Sequence, residues 1–166
     1  VCEFAKTMQN RQTYIDTISI NLSVVQLLQH GFFDRVKKIL TDSQIPLSFF
    51  EFEITESVLI TSFESVKEKI SQLKSLGIRI ALDDFGAGYS GINYLANLPV
   101  DTLKLDRQIV FQLGRSNRQD VLIKSIIDAC KSFNLSIVTE GVETQEVLDR
   151  AIELGADYIQ GFFYAM

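Results

Sequence analysis

The sequence predicts an α/β fold: a (β/α)8 barrel of the TIM type in partial form, with about six of its eight strands present. Three observations carry that prediction. Short β-rich runs alternate with helix-period stretches along the whole chain, nearly every run ends in polar and mostly acidic residues, and no linker or low-complexity segment divides residues 1–166. The chain has 166 residues, 46% of them apolar and 22% charged, with 9 Gly and 2 Pro. That composition suits one globular domain and excludes collagen-like, disordered and disulfide-scaffold classes.

The β-rich runs are Thr17–Ser23, Phe50–Thr55, Ile78–Asp83, Thr102–Asp106, Ser136–Glu140 and Asp157–Phe162. Helical periodicity links them. Val24–Leu40 places Leu27, Leu28, Phe32, Val36 and Ile39 near three-and-four spacing, and Val66–Leu76 does the same with Val66, Ile70, Leu73 and Leu76 before stopping at Gly77. Asp120–Phe133 and Gln145–Leu154 follow, the second ending at Gly155. An open doubly wound sheet would gather its chemistry at one switch point, whereas a barrel gathers it from many strand ends. Here all six runs contribute, through Asn21, Glu53 and Glu56, Asp83 and Asp84, Lys104 and Asp106, Glu140 and Glu143, and Gln160. A whole barrel needs about 250 residues, so the first two strands and the last helix are expected to be missing from this span. Val1–Tyr14 lacks a basic stretch followed by an apolar run, so no signal peptide is expected there, and the chain is expected to begin inside a longer gene product.

Charge and composition narrow the function classes. Sixteen basic against 21 acidic side chains give a net charge of −5, a poor footprint for a partner such as duplex nucleic acid. The single histidine, His30, excludes chemistry needing two imidazoles. Two cysteines and no apolar run of about 18 residues point to a reducing cytoplasm rather than a secreted or membrane-spanning segment. Gly86, Gly88 and Gly91 satisfy GxGxxG after a strand, with Asp106 twenty residues beyond Gly86. A dinucleotide pyrophosphate is nevertheless disfavoured, because Asp83 and Asp84 feed that loop and like charges at about 4 Å repel by roughly 4 kcal/mol at an effective dielectric of 20. Gly86 and Gly88 serve better as a tight loop that bends away from the Asp pair.

Asn21, Glu53, Asp83, Asp84 and Glu140 are all oxygen donors at strand ends. Such a cluster needs a cation among its members. Oxygen-only donors suit Mg²⁺ or Mn²⁺ rather than Zn²⁺, and five donors suggest two ions with the Asp83–Asp84 pair between them. Lys104, within an apolar strand, adds one fixed positive charge.

ISINLS, FEITES, IALDDFGAGYSGINYL, LPVDTLKLD, VTEGVET and QGFFYA follow in order along the chain, and together they resemble the signature of the EAL-domain family of cyclic di-GMP phosphodiesterases over essentially all 166 residues. The resemblance implies a TIM barrel that hydrolyses cyclic di-GMP to linear pGpG with two Mg²⁺ or Mn²⁺ ions. It implies metal ligation by Asn21, Glu53, Asp83, Asp84 and Glu140, with Asp83 shared between the ions. Glu140 is the implied general base and Lys104 the group holding the attacking water. Glu56 and Glu143 are implied supports of the loop and metal shell, and Gln160 and Asp106 are the candidates for substrate contact. Two features depart from the family pattern. The loop reads DFGAGYSG rather than DFGTGYSS, so Ala87 lacks a hydroxyl, and the Glu-Ala-Leu motif itself does not occur in this span.

The expected function is thus a metal-dependent phosphodiesterase in the bacterial cytoplasm. The parent chain is expected to carry a sensor or GGDEF-type domain upstream, with any membrane anchor lying in such segments, and to pair as a homodimer or an edge-swapped oligomer. The alternatives are a non-catalytic cyclic di-GMP receptor and an aldolase-like barrel, the latter resting on Lys104 alone.

Overall fold

In the computed structural model, residues 1–10, 16–87 and 95–164 are described. Helix α1 (Cys2–Asn10) leads to β1 (Ile18–Asn21), α2 (Val24–Leu27), α3 (Phe32–Ser43) and a 3₁₀ turn at Leu47–Phe49. Then come β2 (Phe50–Thr55), α4 (Val58–Ser75), β3 (Arg79–Phe85), β4 (Thr102–Leu105), α5 (Arg107–Val110) and α6 (Asn117–Ser132). The chain closes with β5 (Ser136–Thr139), α7 (Gln145–Leu154), β6 (Tyr158–Ile159) and a 3₁₀ turn at Phe162–Tyr164.

All five strand pairings are parallel, and the spatial order β1-β2-β3-β4-β5-β6 equals the chain order. A doubly wound sheet must reverse its order at a switch point; this one never does, so the six strands form a curled half-barrel of the TIM type. Alternation along the strands divides the chemistry between two faces. In β2, Phe50, Phe52 and Ile54 are buried on the helix side, while Glu51 and Glu53 face the hollow of the curl. Ile80 and Leu82, Leu103 and Leu105, and Ile137 continue the apolar face, packing with Ile70, Leu73, Ile127 and Leu148 of the helices.

Helix ends follow their side-chain chemistry. Ser23 and Gln26 form a capping box, Ser116 caps α6, and Thr144 caps α7. Gly155 stops α7 at φ +99°, a left-handed conformation in which glycine carries no Cβ penalty. Two strand entries share one device. Asp101 accepts from Ile80 N at 2.9 Å and contacts Lys74, while Asp157 accepts from Ile137 N at 2.9 Å and lies 3.3 Å from Lys131.

Several elements differ from the sequence expectation. The stretch Val24–Leu40 is two helices, because Gly31 adopts φ +70° and exposed His30 sits in the turn between them. The helix expected at Val66 begins at Val58; β-branched Val58, Ile60 and Thr61 have weak helix propensity and hide that first turn. Helix α1 is not among the expected elements, although Cys2, Ala5 and Met8 recur at helical spacing and Ala5 is buried. The phenylalanines also divide: Phe50, Phe52 and Phe85 are core, but Phe4, Phe111, Phe133 and Phe162 are exposed. Cys130 packs in the core as expected, and burial pushes its thiol up to about 11. Among the described residues, no helix is long and apolar enough to cross a membrane.

Buried Asp120 ties α6 to α7. It accepts from Gly114 N at 2.9 Å, from Arg150 Nε at 2.9 Å and from Arg150 Nη2 at 2.8 Å. The Gly114 N–H is the main cause that holds its carboxyl below the usual range, with Arg150 assisting against the effect of burial. A carboxylate with a depressed folded pKa stabilises above its unfolded value of about 3.9, and the contribution is lost as pH falls through the folded value. Asp120→Asn should therefore lower the urea midpoint at pH 7, and the gap from wild type should narrow at about pH 3; an equal gap at both pH values would remove the ionised carboxylate from the account.

Candidate active site

Lys104, on β4, is the hub of the hollow face. Its Nζ lies 3.0 Å from Glu53 Oε1 on β2, 3.2 Å from Asp83 Oδ1 on β3 and 2.6 Å from Glu140 Oε1 just beyond β5. Asp83 and Glu140 come from the strands on either side of β4, but β2 would stand about 10 Å from β4 in a flat sheet, and the curl shortens the reach to Glu53. Lys104 is only 5% exposed. Burial works against its ammonium, but the hydrogen bonds from Glu140 and Glu53 outweigh it and hold its pKa above the ordinary lysine value.

The Asp pair reaches the site through a backbone irregularity. Leu82 pairs with Leu103 and Phe85 with Leu105, which leaves Asp83 and Asp84 together opposite Lys104. This is a β-bulge, and Asp84 takes φ +57° within it. In a regular strand, consecutive side chains point to opposite faces. The bulge instead gathers one carboxylate oxygen each from Asp83, Asp84 and Glu140 within 4.8 Å of one another. Burial, then Asp83 and Asp106, raise the Asp84 carboxyl; burial also raises Glu140, opposed by Lys104 and reinforced by Asp83 and Glu53. Four carboxylates facing one ammonium leave an excess of negative charge, which a hard divalent cation bound through oxygen would neutralise. The donor set therefore fits Mg²⁺, Mn²⁺ or Ca²⁺.

The remaining candidates take distinct places. Asn21 ends β1 directly opposite Glu53 in the register. Glu56 is buried, and its Oε2 accepts from Gly86 N at 2.6 Å, while its Oε1 has no hydrogen-bond partner among the described residues. Gly86 has φ +93°, a conformation that favours glycine, and a Cβ there would meet Ile109 Cδ1 at 1.9 Å unless that side chain turned aside. Gly88 lies outside the described residues. Asp106 caps α5 by accepting from Gln108 N at 2.7 Å. Glu143 pairs with Arg107 at 3.0 Å, and together with Glu140, Gln160 and exposed Phe162 they line a cleft of about 370 Å³. Arg107 went unnoticed in the sequence, where it reads as one more solvated base. Its only signal there was its place directly after the Lys104–Asp106 strand end.

Millimolar Mn²⁺ or Mg²⁺ should raise the melting temperature, because binding relieves carboxylate repulsion in the folded state alone; a ligand at a hundred times its Kd stabilises by about 2.7 kcal/mol. Asp83→Asn should remove most of the shift. A melting temperature indifferent to both metals would dispose of the cation site.

Comparison with known proteins agrees with this geometry. The family model "EAL domain" matches residues 1–166. Cyclic di-GMP phosphodiesterase PdeA of Borreliella burgdorferi is 39% identical over 150 residues, covering 90% of this chain and 22% of the relative. Cyclic di-GMP phosphodiesterase RocR of Pseudomonas aeruginosa is 35% identical over 148 residues, covering 89% of this chain and 38% of the relative. The chain thus spans about a fifth to two fifths of those relatives. Among solved structures, the PaMucR phosphodiesterase in complex with c-di-GMP superposes with a TM-score of 0.90 at 30% identity, covering 99% of this chain and 67% of that one. The manganese and cyclic di-GMP complex of Klebsiella pneumoniae BlrP1 gives 0.87 at 26% identity, covering 98% and 41%. By signature order, by half-barrel architecture and by a family match along its whole length, the chain belongs to the EAL domain family.

Proposed function

We propose that this chain supplies most of the catalytic barrel of a phosphodiesterase that hydrolyses cyclic di-GMP to linear pGpG. The observation that carries the reading is the Lys104 cluster, in which Glu53, Asp83 and Glu140 surround one buried ammonium while the bulge adds Asp84. Relatives named cyclic di-GMP phosphodiesterases and structures holding cyclic di-GMP support the substrate. The barrel is read as completed by strands outside residues 1–166, and the site as working in the bacterial cytoplasm.

Asn21, Glu53, Asp83, Asp84 and Glu140 are the proposed holders of two ions, Mg²⁺ or Mn²⁺. When bound, the ions supply Lewis-acid stabilisation of the charge that develops on the phosphate. The chain's own residues supply the proton path and the orientation. Lys104 Nζ, hydrogen-bonded to Glu140 and Glu53, has its third N–H, on the Asp83 side, to aim the attacking water. Glu140 takes the water's proton, and burial makes its carboxylate a stronger base than an exposed glutamate. The new P–O bond forms as the P–O3′ bond breaks, and the released 3′ oxygen is protonated from solvent. Arg107, Gln160 and Phe162, around the adjoining cleft, offer a guanidinium, an amide and an aromatic face to the guanine nucleotide.

In the full-length protein, Glu140→Gln should lower kcat for cyclic di-GMP by at least a hundredfold while KM changes only severalfold, since general-base catalysis contributes about 10²–10⁴-fold. Lys104→Met should be comparably damaging. Retention of near-normal hydrolysis by Glu140→Gln would refute the proton path, and tight binding without turnover in the wild type would identify a receptor instead.

A further inference from the structure

Beneath the Lys104 cluster lies a second polar tier that the hydrolytic steps leave unused. Glu51 is 7% exposed and faces the hollow of the curl two residues before Glu53. Its Oε2 accepts from Thr102 Oγ1 at 2.7 Å and lies 3.5 Å from Arg79 Nε, and its Oε1 accepts from Ser19 Oγ at 3.5 Å. Thr102, 2% exposed, stands two residues before Lys104. The Glu51–Thr102 contact therefore repeats, one tier lower, the Glu53–Lys104 contact.

Strands β2 and β4 are not neighbours; β3 runs between them. At the level of the two contacts β3 presents Ala81, fully buried and in register with Glu53 on one side and Thr102 on the other. The Ala81 methyl stands at this level, and Arg79 Nη2 on the same strand donates to Thr102 Oγ1 at 3.5 Å. Arg79 balances the Glu51 charge, so the lower tier is close to neutral and draws no positive charge from Lys104. Partners hydrogen-bonded directly to ligating groups cost about 10–100-fold in metal affinity when lost, and the Glu51–Thr102 rung, acting through the strands one step further out, belongs at the lower end of that range.

We propose that Glu51, acting through the hydroxyl of Thr102, is the positioning residue that sets β4 against β2 and so holds Lys104 and Glu53 at the spacing the metal-binding cluster requires. The kinetic part rests on the phosphodiesterase reading; the metal part does not. Displacement of catalytic groups by about 1 Å can cost on the order of a hundredfold in rate, so a smaller shift in this rung should still be measurable.

The test compares Thr102→Val, which keeps the β-branched shape and removes the hydroxyl, with Thr102→Ser, which keeps the hydroxyl, in the full-length protein. Mn²⁺ alone is titrated by thermal shift, and kcat and KM for cyclic di-GMP are measured alongside. Thr102→Val should raise the Mn²⁺ midpoint about tenfold and lower kcat about tenfold with KM little changed, and Thr102→Ser should stay within about twofold of wild type. A Thr102→Val midpoint within twofold of wild type, or equal damage in both variants, overturns the proposal. If Thr102→Val does not fold, Glu51→Gln decides. It keeps the volume and an acceptor for Thr102, so a near-normal midpoint beside a tenfold weaker one in Glu51→Leu, which has no acceptor, supports the rung, and any other pattern overturns it. A wild type that binds Mn²⁺ but hydrolyses nothing defeats the phosphodiesterase reading and leaves the metal titration to judge this one.

Discussion

One buried ammonium organises this half-barrel. Lys104 touches carboxylates delivered from β2, from β3 and from the end of β5, so its position constrains the curl of the sheet as well as the site. The contacts are costly to desolvate, and a buried charge survives only with well-placed partners. Here the partners outnumber it, which leaves the cluster short of positive charge. The same imbalance that makes the hollow face a poor place for a folded chain to rest makes it a good place for divalent cations. Fold and chemistry therefore share a constraint: strands must bend far enough to bring Glu53 and Glu140 to one nitrogen.

Much of this was legible in the residues themselves. Acidic and amide groups at successive strand ends are a non-local pattern that local propensity does not produce, and the FEFEIT alternation already divides β2 into a core face and a polar face. Gly155 and Gly77 marked helix ends because a left-handed residue is a local requirement. The bulge at Asp83–Asp84 was not legible. Strand alternation alone would send consecutive acids to opposite faces, and only pairing with β4 shows the irregularity that lets both join the cluster opposite Lys104. Glu51 was missed for a related reason: its value lies in reaching Thr102 across an intervening strand, and nothing near it in the chain records that contact. Arg107 escaped because exposure and charge alone do not distinguish a cleft wall from a solvated surface.

The glycine-rich loop shows how one motif can suggest two chemistries. Its spacing matches a dinucleotide fingerprint, yet Gly86 serves other ends: a left-handed turn, contact with Ile109 and an N–H for Glu56. Glu56 in turn sends its own N–H to the Asp83 carbonyl at 3.0 Å. A single acidic residue thereby holds the strand end before the bulge and the turn after it. The left-handed Asp84 is the strained residue between these two anchors, and strain of this kind persists where surrounding structure over-determines it.

The paired aspartates at the strand entries have a consequence for how such a barrel can change over time. Asp101 and Asp157 grip the beginnings of β3 and β5, at the pole opposite Lys104, and each recruits a lysine from the preceding helix. Alignment of neighbouring strands is thus secured away from the carboxylate cluster. Variation at the opposite pole, in loop length, loop sequence or the identity of a ligating side chain, can be sampled without releasing the sheet. The same scaffold can then shed its hydrolytic groups and persist as a sensor, or acquire new contacts, while its architecture is inherited unchanged.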